Sequence, residues 1–308
     1  MRSIIQNNEL GIILNDTREK AKLLESHELK IFKHVAELQS VSKAAEKLGY
    51  VQPNVSQRIK NLENELGVRL FMRNNRGVTL TEEGEKLLDY TNEILQLIDE
   101  AKTAINPNKW RESLKIGASQ TISAVKIPSL LSAFLKESNN LDVKVRTSNN
   151  LMLEEMLFYG EVDGIFVNNS SKNTSDCEIV YSYLEKIILI SPILNPIHIN
   201  SNQTLIVNSD RNCIYRKQLL EWSKESNFHS SHIIEFDSLE SIIQAVHDGL
   251  GISIIPADIA ETRKGTKEII FTELPKKIKI DFLIKNKKQQ TPGLKKFIRF
   301  LRENNERK

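Results

Sequence analysis

The chain is poor in the features that mark several large protein classes. Only two cysteines occur in its 308 residues, Cys177 and Cys213. They stand far apart with no metal-like spacing, so neither a disulfide framework nor a zinc site is expected. A redox switch would need the fold to bring the two together, and isolated thiols are usually inert. No apolar run is long enough to cross a bilayer, and the N-terminus lacks the basic region, apolar core and small-residue cleavage site of a secretory leader. A cytoplasmic protein with no membrane partner is expected. Charge of one sign is also missing, because 43 Lys and Arg stand against 40 Asp and Glu for a net charge of +3. A polycation of the histone kind is thereby excluded, and whatever attracts nucleic acid must be local.

Signatures of catalysis are equally scarce. Gly249 and Gly251 lack the third glycine of a dinucleotide fingerprint and precede a strand pattern where the fingerprint would follow one. A helix C-cap followed by a turn is the better reading. No nucleophile elbow, Walker loop, zinc signature or kinase set occurs in residues 111–308, which argues against an enzyme with an appended binding module and leaves no cofactor or metal expected. His229 and His232 lie in a polar stretch without partnering cysteines and read as surface residues.

What is present is concentrated between Val41 and Thr81. Ala44, Ala45 and Leu48 give a short helix small apolar contacts that let a second helix cross closely, with Ser42 available as a cap and Gly49 ending it. Pro53 suits the first turn of the next helix, where Val55, Ile59, Leu62 and Leu66 recur at helical spacing toward a core. The opposite face carries Gln52, Asn54, Ser56, Gln57, Arg58 and Lys60, side chains suited to base edges and phosphates in a major groove. After Gly67, two short apolar runs flank Arg73-Asn74-Asn75-Arg76-Gly77, a plausible hairpin turn with arginines at its tip. The order is helix, tight turn, helix and β-hairpin: a winged helix-turn-helix, which binds double-stranded DNA. From Ser26 to Leu80 the module is locally positive, nine Lys and Arg facing five Glu.

The order and spacing of Ala44-Ala45, Leu48, Gln52-Pro53, Ser56, Ile59, Leu62-Glu63, Leu66-Gly67, Leu70-Phe71, Arg73, Gly77, Leu80-Thr81 and Gly84 closely resemble the DNA-binding domain of LysR-type transcriptional regulators. One departure stands out: Ser56-Gln57-Arg58 occupies the place where that family usually has Ser-Arg-Gln. The expected DNA-binding set is Gln52, Pro53, Asn54, Ser56, Gln57, Arg58, Arg73 and Arg76. The resemblance begins near Ser26, and residues 1–25 have no matching role. They read either as a genuine extension or as the product of a mis-set translation start, with Leu23 or Leu24 standing for a TTG codon.

From Thr81 a long helix is expected to run to about Ile105, its start favoured by Glu82, Glu83 and Glu85. Leu87, Thr91, Ile94, Ile98, Ala101 and Ile105 form a heptad-like seam for a partner helix. The resemblance implies a linker (81–110) that pairs antiparallel in a homodimer or homotetramer. Asn106-Pro107-Asn108 breaks the helix.

Beyond it, apolar strands alternate with helices in the manner of an α/β domain. The whole chain is therefore α+β and multidomain, with an effector-binding domain over 111–308. By resemblance that domain is two-lobed and related in fold to periplasmic solute-binding proteins, lobe I being about 111–168 and 272–308 and lobe II about 169–271. Ligands of open α/β sheets collect outside the carboxyl ends of strands, where helix N-termini present N–H groups. Ser119, Gln120 and Thr121 follow the first strand and Thr147, Ser148 and Asn149 the second. Across the cleft, Asn208 and Ser209 follow another, while Phe236 and Asp237 precede a helix that Asp237 and Glu240 could open as a capping box. These ten residues suit a small polar or anionic effector.

Overall fold

The structure is a computed structural model that describes residues 25–74, 77–106, 109–138, 140–168, 176–193, 204–226, 232–263, 268–286 and 290–305. The chain divides into two compact units, Met1–Lys102 and Thr103–Lys308, which are taken in turn.

The first unit packs α1 (Ser26–Leu38), α2 (Val41–Leu48) and α3 (Gln52–Leu66) around Phe32, Val35, Ala44, Ala45, Val55 and Leu62. The alanines are fully buried, which allows α2 and α3 to approach closely. The cap of α2 differs from expectation: Ser40, not Ser42, accepts the amide of Lys43, because the helix begins one residue before Ser42. Pro53 sits in the first turn of α3, and Gly67 ends that helix in the left-handed region. Strands β1 (Phe71–Asn74) and β2 (Gly77–Leu80) pair antiparallel from Phe71 with Leu80 to Asn74 with Gly77. The wing is thus a two-stranded ribbon, and Arg76, expected at its tip, lies outside the described residues.

Helix α4 (Glu82–Ile105) buries Gly84, Leu88, Thr91 and Asn92 in this unit. On the same helix Tyr90, Ile94, Leu97 and Ile105 are exposed. The expected seam is displaced at its start, since Thr91 is wholly buried within the unit and Tyr90 is open.

The second unit is built on a six-stranded sheet whose spatial order is β4 (Leu141–Thr147), β3 (Glu112–Ala118), β5 (Gly164–Asn168), β10 (Ile269–Lys285), β6 (Cys177–Pro192) and β9 (Ser253–Pro256). Strands β3 (Glu112–Ala118), β4 (Leu141–Thr147) and β5 (Gly164–Asn168) are parallel. Their crossovers carry α5 (Gln120–Val125), α6 (Ile127–Glu137) and α7 (Asn150–Phe158). A second, two-stranded parallel sheet joins β7 (Leu205–Asn208) to β8 (Ile233–Phe236), flanked by α8 (Ile214–Glu225) and α9 (Leu239–His247). Strand β9 (Ser253–Pro256) and α10 (Ala257–Thr262) follow, and α11 (Pro292–Asn305) closes the chain on Phe134, Phe166 and Phe282 through Phe297.

Two long strands run through both halves. Strand β6 (Cys177–Pro192) and β10 (Ile269–Lys285) pair antiparallel along most of their length. At one end β10 pairs with β5 through Ile280–Ile284, and at the other β6 pairs with β9 through Ile187–Ile190. Between these ends the β6–β10 register breaks, between Glu273 and Lys277. Pro275 lies there, and a residue without an N–H is tolerated where the ladder is already interrupted.

Candidate functional site

The exposed side of α3 is held by pairs one turn apart. Gln57 donates to Asn61 at 2.9 Å, and Arg58 donates through Nε to Asn54 at 3.1 Å. Gln52, Pro53, Asn54 and Gln57 are exposed, while Ser56 and Arg58 are half-buried. Between α3 and the wing runs a groove of about 800 Å³, lined by Pro53, Ser56, Gln57, Lys60, Arg69 and Arg73 among others. Gln52, Asn54 and Arg58 lie on the same helix but do not line it. The groove adds Lys60, Asn64 and Arg69 to the expected set; of these, the sequence pattern had marked Lys60 by its place on the polar face.

In the second unit, a cavity of about 530 Å³ gathers Ser119, Gln120, Thr121, Thr147, Ser148, Asn149, Asn208, Ser209 and Asp237. They come from four separate loops, at the ends of β3, β4, β7 and β8. The convergence follows from topology: parallel strands end on one side of their sheets, and each loop there opens a helix. Phe236 does not line the cavity; its side chain packs against the cluster around Ile206, Ile242 and Val246. Asn150, Asn168, Asp210, Asn212, Cys213, Ile214 and Tyr215 line it beyond the expected residues.

Much of the polar lining is already ordered. The Asn149 side chain caps α7 by accepting the Met152 amide, and Thr147 donates to Ser123 at 3.0 Å. Asn150 donates to both the carbonyl and the side-chain oxygen of Asn168. Asp210 accepts the Asn212 amide at 2.9 Å, and its own amide is held by Asn208. Ser238, not Asp237, caps α9, accepting the Ser241 amide, and Asp237 lines the cavity. The first turns of α5 and α8 have no side-chain cap hydrogen bond. An occupant of the cavity therefore meets hydroxyls, amides, two carboxylates and uncapped helix N-termini.

At the cavity floor, burial pushes the Cys213 thiol up, against the pull of the Tyr215 and Arg216 amides. Burial likewise raises the Tyr215 phenol well above its ordinary range, with the neighbouring Glu185 carboxyl adding to the shift. Cys177 packs against a different cluster, beside Leu153 and Ile165, and both cysteines are free thiols. His232 is exposed, as expected, whereas His229 lies outside the described residues. Among the described residues no group of three or more His, Cys, Asp or Glu could hold a metal ion, and no helix is long and apolar enough to cross a membrane.

Two family descriptions match: "Bacterial regulatory helix-turn-helix protein, lysR family" over residues 26–85, and "LysR substrate binding domain" over 107–306. The chain belongs to the LysR family of bacterial regulators. Its winged helix-turn-helix is the DNA-binding part of a LysR-type transcriptional regulator, and the domain that follows is the family's substrate-binding domain. Among LysR-type relatives, the "Uncharacterized HTH-type transcriptional regulator YusT" of Bacillus subtilis is 33% identical over 279 residues, covering 89% of this chain and 94% of that protein. The fold is shared with ArgP from Mycobacterium tuberculosis, with a TM-score of 0.68, 18% identity, and 91% and 97% of the two chains covered. It is also shared with full-length CbnR complexed with its target DNA, with a TM-score of 0.53, 23% identity, and 91% and 99% covered.

Proposed function

We propose that this LysR-type regulator reads its operator with α3 and the wing and is controlled by a small polar or anionic effector held in the cavity of the second unit. On this reading Gln52, Asn54, Ser56 and Gln57 on the exposed side of α3 read bases, while Arg58, Arg73 and Arg76 supply phosphate contacts, with Pro53 setting the first turn of the helix. The exposed stripe of Tyr90, Ile94, Leu97 and Ile105 suits a partner α4 and supports a homodimer, from which a homotetramer can be built. The chain acts in the cytoplasm and has no catalytic role, in keeping with relatives that are named transcriptional regulators.

The observation that carries the reading is the convergence of four hydroxyl- and amide-bearing loops on one cavity in a domain of the LysR substrate-binding kind. Effector binding acts only through unequal affinity for two arrangements of the oligomer. Footprinting of the purified chain on DNA upstream of its own gene, at stated salt, is expected to protect two symmetric half-sites. Absence of binding to any DNA would overturn the regulator reading. For the cavity, Ser148→Trp is expected to leave DNA affinity intact and abolish the transcriptional response; a variant that still responds would remove the cavity from the account.

A further inference from the structure

Tyr215 faces two ways. It is one of the residues lining the cavity, and its hydroxyl donates a hydrogen bond to the carboxyl of Glu185 on β6. Glu185 is 6% exposed and stands opposite Ile278, between the stretch of β6 that pairs with β9 and the stretch of β10 that pairs with β5. It is thus placed where the two long strands pass from one half of the domain to the other, beside the register break at Pro275.

Tyr183 lies two residues away on the same strand face, and its buried hydroxyl has no hydrogen-bond partner among the described residues. Lys126, at the junction of α5 and α6, sits 5.1 Å from the centre of the Tyr183 ring and 3.5 Å from Asp258 on α10. That ion pair joins an element of the first half to one of the second. The ionisable groups facing Glu185 are therefore Tyr215 from α8, Asp258 from α10, Lys126 from the α5–α6 junction and Tyr183 from its own strand.

We propose that Tyr215 is a positioning residue that couples the cavity to Glu185, so that what occupies the cavity and whether Glu185 carries a proton are linked. This rests on the cavity being the effector site. A ligand that draws the phenol away leaves the carboxylate without its donor and favours uptake of a proton from solvent. Linkage makes the converse true: a protonated Glu185 releases its hold on the phenol and favours the ligand that moves it. Burial raises the proton affinity of Glu185, the Tyr215 hydrogen bond opposes this, Asp258 adds to the rise and Lys126 reduces it, with the net shift upward.

The coupling can be tested on the full chain without any effector. Trp110 and Trp222 are the two tryptophans, and Trp222 lies on α8 two turns from Tyr215. In a Trp110→Phe background, the emission of Trp222 is expected to show one step on the alkaline side of the ordinary carboxylate range. Adding Glu185→Gln should abolish the step. Adding Tyr215→Phe, which removes the donor that favours the carboxylate, should move its midpoint upward. No step in the parent, an unchanged step in the Gln variant, or an unmoved midpoint in the Phe variant would each overturn the coupling. If the Gln variant does not fold, the direction of the Phe shift decides. Because none of these readouts involves ligand, failure here leaves the cavity assignment to the Ser148→Trp response.

Discussion

The carboxylate of Glu63 on α3 accepts two backbone amides at the root of the wing, from Leu70 at 2.8 Å and from Phe71 at 3.3 Å. One side chain thus fixes the angle between the recognition helix and the ribbon beside it. Glu63→Ala leaves both donors without their acceptor at a partly buried site, at a cost of about 1–3 kcal/mol. Glu63→Gln keeps one acceptor oxygen and should fall between the wild type and the Ala variant. Thermal melts of the three proteins check this order, and equal stability of the Ala variant would show that water replaces the carboxylate.

Gly84 sits in the first turns of α4 with no room for a side chain. A Cβ there would overlap the carbonyl oxygen of Leu70 and come within 2.9 Å of the Leu80 side chain. Helix propensity alone favours Gly84→Ala by about 1 kcal/mol. The overlap is with backbone oxygen, which cannot rotate aside, so the steric effect wins and the variant is expected to melt well below the wild type. A rise in melting temperature would mean that α4 can shift away from β1 without loss.

The first unit was legible in the sequence almost element by element, because a helix-turn-helix is made of local signals: Gly49, Pro53, Gly67 and apolar residues at helical spacing. The caps were less so. Ser40 and Ser42 are both good caps, as are Asp237 and Ser238, and only the helix phase chooses between neighbours one or two residues apart. In the second unit the cavity loops were legible from strand ends taken together with the family resemblance, but the reach of β6 and β10 was not. Pro275 argues against a strand in sequence, and a broken register accommodates it in the fold. Tyr215 carries no signal of its own in the sequence. Its pairing with Glu185 joins residues 30 apart in the chain and is made only by the folded domain.

Glu37 on α1 gives a prediction about acid. Burial by itself would raise its pKa, but the hydrogen bond from His34 and the charges of Lys33, His34 and Lys47 outweigh that, holding it below the ordinary value of 4.5. A depressed carboxyl contributes stability above its unfolded pKa, and that contribution is lost as pH falls through the folded one. Glu37→Gln should therefore weaken the first unit at neutral pH, and the gap to the wild type should close as the pH falls below the ordinary carboxylate range. Urea melts at the two pH values measure it; a gap that is the same at both would assign the effect to packing and not to charge.

The wing makes the last prediction. Arg73 lines the same groove as Ser56 and Gln57, but from β1 and not from the helix. On the proposed reading that side chain meets the phosphate backbone while the helix enters the major groove, and phosphate contacts carry no sequence information. Arg73→Ala should therefore weaken operator and unrelated DNA by about the same factor, roughly 5- to 10-fold, and flatten the plot of log affinity against log salt by about 0.9. Gln57→Ala should behave oppositely, narrowing the gap between operator and unrelated DNA while leaving the salt slope near its original value. Fluorescence anisotropy at three or more salt concentrations separates the two. If Arg73→Ala altered preference at one base pair and spared nonspecific affinity, the wing arginine would have to be moved from the phosphate backbone to a base edge.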